Sequence, residues 1–102
     1  MNIDRSDEYE APTLSWLARE ATRMNSCLLE AGVTSQEQRR ATCDAFFFGL
    51  GAGFEEPVTA NGQSYLPSIA LATADSRLLL PTEMFDLHEY ALSIVGEAFG
   101  EN

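Results

Sequence analysis

His88 is the only histidine of the 102-residue chain, and Cys27 and Cys43 are its only cysteines. These side chains bound the nucleophile and soft-ligand chemistry open to it. A thiolate activated by an imidazole needs proximity in space, not in sequence. Neither cysteine lies in a recognisable nucleophile motif, however, and both fall at apolar positions of helical patterns, where free cysteine is normally buried. Both are therefore expected to be buried, reduced and slow to react. One histidine and two separated cysteines with no C-x-x-C pair fall short of a zinc site, so no metal and no cofactor is expected. His88, beside Glu89, reads as a partly buried side chain making one hydrogen bond. Glu55 and Glu56 could serve acid–base chemistry, but adjacent exposed acids are normally just solvated. No Ser/His/Asp pattern stands out. The chain does not read as an enzyme.

A second candidate is the stretch CDAFFFGLGAGFEEP, residues 43–57. Its alternating glycines suggest a phosphate cradle, but such loops follow a strand and precede a helix, and here the glycines follow a helical pattern. The last position of a G-x-G-x-x-G match is Phe54, and Glu55 and Glu56 add negative charge where a phosphate would sit. The glycines are expected to end the helix and to let backbone pass close to bulky neighbours. Phe46, Phe47 and Phe48 sweep about 200° of a helix, so that end is expected to be enclosed on most sides.

Charge carries more information than any motif. Sixteen acids against six arginines give a net charge of −10, with no lysine. Such a surface repels nucleic-acid phosphates and anionic lipid, and it favours basic proteins, including those that hold nucleic acid. No apolar run approaches the ~20 residues of a membrane span. The acidic opening, MNIDRSDEYEAP, lacks the positive charge and apolar run of a signal peptide. A soluble, cytoplasmic protein is expected. Beyond Arg77 there is no arginine, while Glu83, Asp86, Glu89, Glu97 and Glu101 all lie there. An acidic edge along the last helix is one reading of this asymmetry; a surface kept soluble by its charge is the other.

The elements that would position these residues follow from periodicity. Residues 1–12 read as a loose, acidic lead-in. Leu14, Leu17, Ala21, Met24, Leu28 and Ala31 share one helical stripe over residues 13–31, with Thr13 as N-cap and Gly32 as terminator. Trp16, off that stripe, is either core or interface anchor. Thr34 with Glu37, or Ser35 with Gln38, forms a capping-box pattern that opens a second helix, antiparallel to the first. Asn61-Gly62 between Val58 and Tyr65 predicts a hairpin with a primed turn. Residues 68–80 read as strands, with a short helix as the alternative. Pro81-Thr82-Glu83 predicts the start of the last helix, with Thr82 as N-cap and a broad apolar face.

The fold expected is thus α+β and predominantly helical, one domain over residues 1–102: an antiparallel helical hairpin, a short β-hairpin region and a long C-terminal helix. An all-α bundle is the alternative. The function expected is non-catalytic: an acidic surface that binds and blocks a basic, nucleic-acid-binding site of a partner protein. Glu55, Glu56, Glu83, Asp86, Glu89 and Glu97 are the candidate contact residues. In size and charge the chain is similar to small acidic inhibitors of nucleic-acid-handling machinery, phage-encoded anti-defence proteins and DNA mimics among them. That likeness is one of composition and rests on no motif. The alternative is a structural or adaptor subunit that forms a homodimer or hetero-oligomer through its apolar helix faces.

Overall fold

In the computed structural model, which describes residues 2–101, the stripe of Leu14, Leu17, Ala21, Met24 and Leu28 rides on helix α1 (Glu10–Glu30). Gly32 ends it as expected. At a φ of +99° it takes the left-handed conformation, and the amides of Gly32 and Val33 donate to the carbonyls of Leu29 and Leu28 at 3.1 and 3.0 Å. The last carbonyls of the helix are thereby satisfied. Helix α2 (Gln36–Gly53) returns antiparallel. Its N-cap is Ser35, whose hydroxyl accepts from the Gln38 amide at 3.2 Å. Arg39 is buried and donates to Asn25 Oδ1 and to the carbonyls of Val33 and Thr34 at 2.7–2.9 Å, clamping the turn to α1.

Helix α3 (Leu87–Ala98) closes the core. Leu87, Ala91, Ile94 and Val95 pack on Leu17 and Ala21 of α1 and on Cys43 and Phe47 of α2. Each large apolar side chain so buried contributes roughly 1.5–3 kcal/mol. The start of this helix differs from the sequence expectation. Asp86, not Thr82, is the N-cap, its carboxylate accepting from the His88 amide at 3.0 Å. Thr82 instead donates to Asp7 Oδ1 at 3.2 Å, and residues 81–86 run without helix. Glu83 and Met84 therefore lie on this segment and not on the helix.

Helix α2 runs through Gly49 and Gly51 and ends at Gly53, the last of the three glycines expected to terminate it. One further expectation for α2 is corrected, for its phenylalanine end is not enclosed: Phe47 is 2% exposed, but Phe46 and Phe48 are 50% and 57% exposed. The reason is that α1 and α3 together cover only one side of α2. At Gly51 the close approach is real, for a Cβ there would lie 2.8 Å from Cδ2 of His88.

The strands follow the turn chemistry. Strands β2 (Val58–Ala60) and β3 (Gln63–Tyr65) pair antiparallel across Asn61 and Gly62, whose φ values of +53° and +77° suit the primed turn. Strands β4 (Leu71–Ala72) and β5 (Arg77–Leu80) pair antiparallel in a second sheet. Its third strand, β1 (Asn2–Arg5), lies parallel to β5, giving the order β1-β5-β4.

The lead-in expected to be loose is thus built into the fold; only Met1 of it, like Asn102 at the other end, lies outside the described residues. Arg77 holds it by an ion pair to Asp4 at 3.0 Å. Residues Asp7–Tyr9 form a single 3-10 turn capped by Ser6, and Tyr9 is buried, its hydroxyl donating to the Ile69 carbonyl at 2.9 Å. Thr13, expected as N-cap, is instead buried inside α1 and donates to the Tyr9 carbonyl at 2.7 Å. With 54% helix and two small sheets the chain is α+β and predominantly helical.

Candidate functional site

Residues 81–86, the 3-10 turn and the first turns of α1 and α3 enclose a groove of about 720 Å³. Five carboxylates line it: Asp7, Glu10, Glu83, Asp86 and Glu89. Three of them were expected from sequence to act together, and Asp7 and Glu10 come from the segment read as a loose lead-in. Aromatic rings form the rest of the wall. Phe85 stacks on Tyr90 with centroids 5.5 Å apart and planes 10° from parallel, and Tyr9 meets Phe85 edge-on at 5.6 Å. The Tyr90 hydroxyl donates to Glu10 Oε1 at 2.5 Å, and that bond is the first cause holding its phenol above the ordinary tyrosine value. Burial likewise pushes the Tyr9 phenol up.

Among the described residues no arginine lines this groove, because the six are engaged elsewhere. Arg19 and Arg23 pair with Glu20, Arg40 with Asp44 and Glu101, and Arg77 with Asp4, Glu8 and Asp75. Arg39 is buried in the α1–α2 turn. Arg5 donates to the Pro81 carbonyl at 3.1 Å and lines an adjoining cavity. The groove therefore carries uncompensated negative charge beside π faces, both of which attract cations.

The remaining candidate residues are placed differently. Glu55 lies beside Asp86 at the Nδ1 edge of His88, with Nδ1 3.8 Å from Glu55 Oε1 and 3.7 Å from Asp86 Oδ1. Glu56 is exposed in the turn after α2, and Glu97 is exposed two turns beyond Glu89 on α3; neither lines the groove. The sequence signal for the missed half was Ser6 followed by two acids, a helix-start pattern. For the aromatic wall no local signal exists, since Tyr9 and Tyr90 meet only in the folded chain.

Glu55, Asp86 and His88 put three donor atoms within 4.8 Å of one another. Their surroundings do not suit a metal. A metal-bound imidazole donates its other N–H to an acceptor, whereas His88 Nε2 is buried with no partner among the described residues. Phe48 covers the ring at 4.5 Å. His88 thus faces Glu55 and Asp86 rather than neighbouring Glu89, and its ring makes no hydrogen bond among the described residues where one was expected.

The thiols are split. Cys43 is buried, and burial pushes its thiol above the ordinary value. Cys27 is exposed, against expectation, in an apolar groove between α1 and α2 where Phe46 leaves it uncovered. Trp16 is half-buried, packs on the core and lines the same groove. No helix is long and apolar enough to cross a membrane among the described residues. No family model, no curated protein and no solved structure matches this chain.

Proposed function

We propose that this chain is a non-catalytic interaction protein whose acidic groove receives basic side chains of a partner and so blocks the surface that carries them. The observation behind this reading is the set of five carboxylates around aromatic rings in a groove that no arginine lines among the described residues. A lysine or arginine entering there gains charge pairing and ring contact together, worth about 0.5–2 kcal/mol for the ring alone. A surface built to hold phosphates presents just such side chains. A partner that binds nucleic acid, blocked in the manner of a DNA mimic, is therefore the class that fits best. Glu55, Glu56 and Glu97 would extend the contact as rim charges, which act mainly on encounter rate.

The test is titration with an arginine-rich peptide, followed by calorimetry at increasing salt. Binding should weaken steeply between low and physiological ionic strength. Replacing Glu83 and Glu89 together with lysine should cost about 1–3 kcal/mol, since repulsion is added to lost attraction. Neither residue caps a helix, so the fold should survive. Binding unmoved by both salt and this double reversal would remove the reading.

A further inference from the structure

The β2–β3 hairpin stands off the body. Every residue of its strands is exposed, and neither strand packs to any extent on a helix or on the other sheet. The pairing sets Val58 opposite Tyr65 and Ala60 opposite Gln63 on one face, with Thr59 opposite Ser64 on the other. Val58 and Tyr65 on the first face are about half exposed, as is Leu66 just beyond the end of β3. A lone two-stranded hairpin is marginal in water and needs its apolar face covered. The radius of gyration, 15.6 Å, also exceeds the roughly 13 Å of a compact domain of this length.

Charge narrows what can cover the hairpin. Residues 57–74 contain no charged side chain, in a chain whose net charge is −10. A basic partner finds no counter-charge there. Two copies of the chain repel wherever acid faces acid, so they can meet only over uncharged ground. A second such area is the groove of about 450 Å³ between α1 and α2, walled by Trp16, Met24, Phe46 and Leu50. The charged residues on its rim, Glu20 and Arg23, neutralise each other at 3.2 Å. The hairpin leaves the same end of α2 that carries Phe46 and Leu50.

We propose that the hairpin is a dimerisation arm: the face carrying Val58 and Tyr65 lies in the α1–α2 groove of a second copy, which returns its own hairpin reciprocally. Two identical contacts related by a two-fold axis close the assembly at a dimer. No residue of the acidic groove takes part.

The test is mass in solution, by light scattering and sedimentation over a concentration series. The chain should show twice its 11.2 kDa, dissociating on dilution but not on addition of salt. Tyr65→Asp and Phe46→Asp should each weaken self-association about 30-fold or more, the effect of losing a central aromatic anchor. Helical circular dichroism should stay unchanged, and Tyr65 touches too little of the body for unfolding to explain its effect. Leu92→Asp, an exposed apolar position outside both surfaces, should leave the dimer intact. A monomer at every concentration overturns the proposal. A dimer that survives Tyr65→Asp overturns the arm, one that survives Phe46→Asp overturns the groove, and one broken by Leu92→Asp moves the interface to α3.

Discussion

Gly51 and Gly49 are both helical glycines of α2, yet alanine should act on them with opposite sign. Helix propensity alone favours alanine by about 1 kcal/mol. At Gly49 nothing lies within 4 Å of the added methyl, so Gly49→Ala should stabilise by roughly 0.5–1 kcal/mol. At Gly51 the methyl meets His88 Cδ2 at 2.8 Å and the His88 amide nitrogen at 3.1 Å. Backbone must then give way, and Gly51→Ala should destabilise by about 1–3 kcal/mol despite its better propensity. Chemical denaturation of the two variants checks the contrast. The cysteines divide in the same local way. An aromatic disulfide reagent should modify Cys27 quickly in dilute native protein, more slowly where the proposed dimer covers its groove, and Cys43 only after unfolding. Because burial holds the Cys43 thiol above its ordinary value, the unfolded chain ionises first as pH rises. Stability should therefore fall with increasing pH above the ordinary thiol range, and Cys43→Ser should flatten that slope.

At the scale of elements, Asp86 has two roles that can be separated. As N-cap of α3 it accepts from the His88 amide; as a groove carboxylate it offers charge. Asp86→Ala should cost about 0.5–2 kcal/mol of stability, whereas Asp86→Asn, which also caps, should leave stability nearly unchanged while still weakening peptide binding. Equal loss of stability in both variants would show that the charge, not the cap, holds the helix start. The misplacement of this start in the sequence reading has the same origin. Pro81-Thr82-Glu83 and Asp86-Leu87-His88 both offer helix-opening chemistry, and only the contact of Thr82 with Asp7, 75 residues away, selects the second. The apolar stripe and Gly32 terminator of α1, the Ser35 cap of α2 and the Asn61-Gly62 hairpin were legible because these signals are local, whereas the start of α1 at Glu10 carries no side-chain cap to mark it. Strand β1 was not, since its partner is β5 and its acids resemble a solvated tail until Arg77 is placed beside Asp4. The acidic groove was half legible for that reason: its α3 side was visible as an excess of acids, its amino-terminal side was not.

For the whole molecule, the sum of charges matters more than any pair. Ten excess negative charges repel one another in the compact state, and most of the ion pairs that oppose this are exposed and individually weak. Sodium chloride should therefore raise the melting temperature. Screening worth about 1 kcal/mol would move it by roughly 4–8 °C for a domain of this size. A melting temperature that falls with salt would instead assign the balance to the Arg77 and Arg40 ion pairs. The same titration weakens the proposed acidic contact and spares the proposed apolar one, so the two surfaces can be told apart in a single buffer series.

The parallel pairing of β1 with β5 also sets a clock on synthesis. Asp4 leaves the ribosome 73 residues before Arg77, the side chain that pairs with it. At 5–20 residues per second the first strand waits roughly 4–15 s for its neighbour. Meanwhile α1 and α2 can meet through their short turn, but the sheet that anchors the amino terminus has no template. The nascent chain thus carries an unpaired strand until β5 emerges. The acids that follow this strand, Asp7, Glu8 and Glu10, suit that interval, because their charge discourages neighbouring nascent chains from docking on the open edge before β5 arrives.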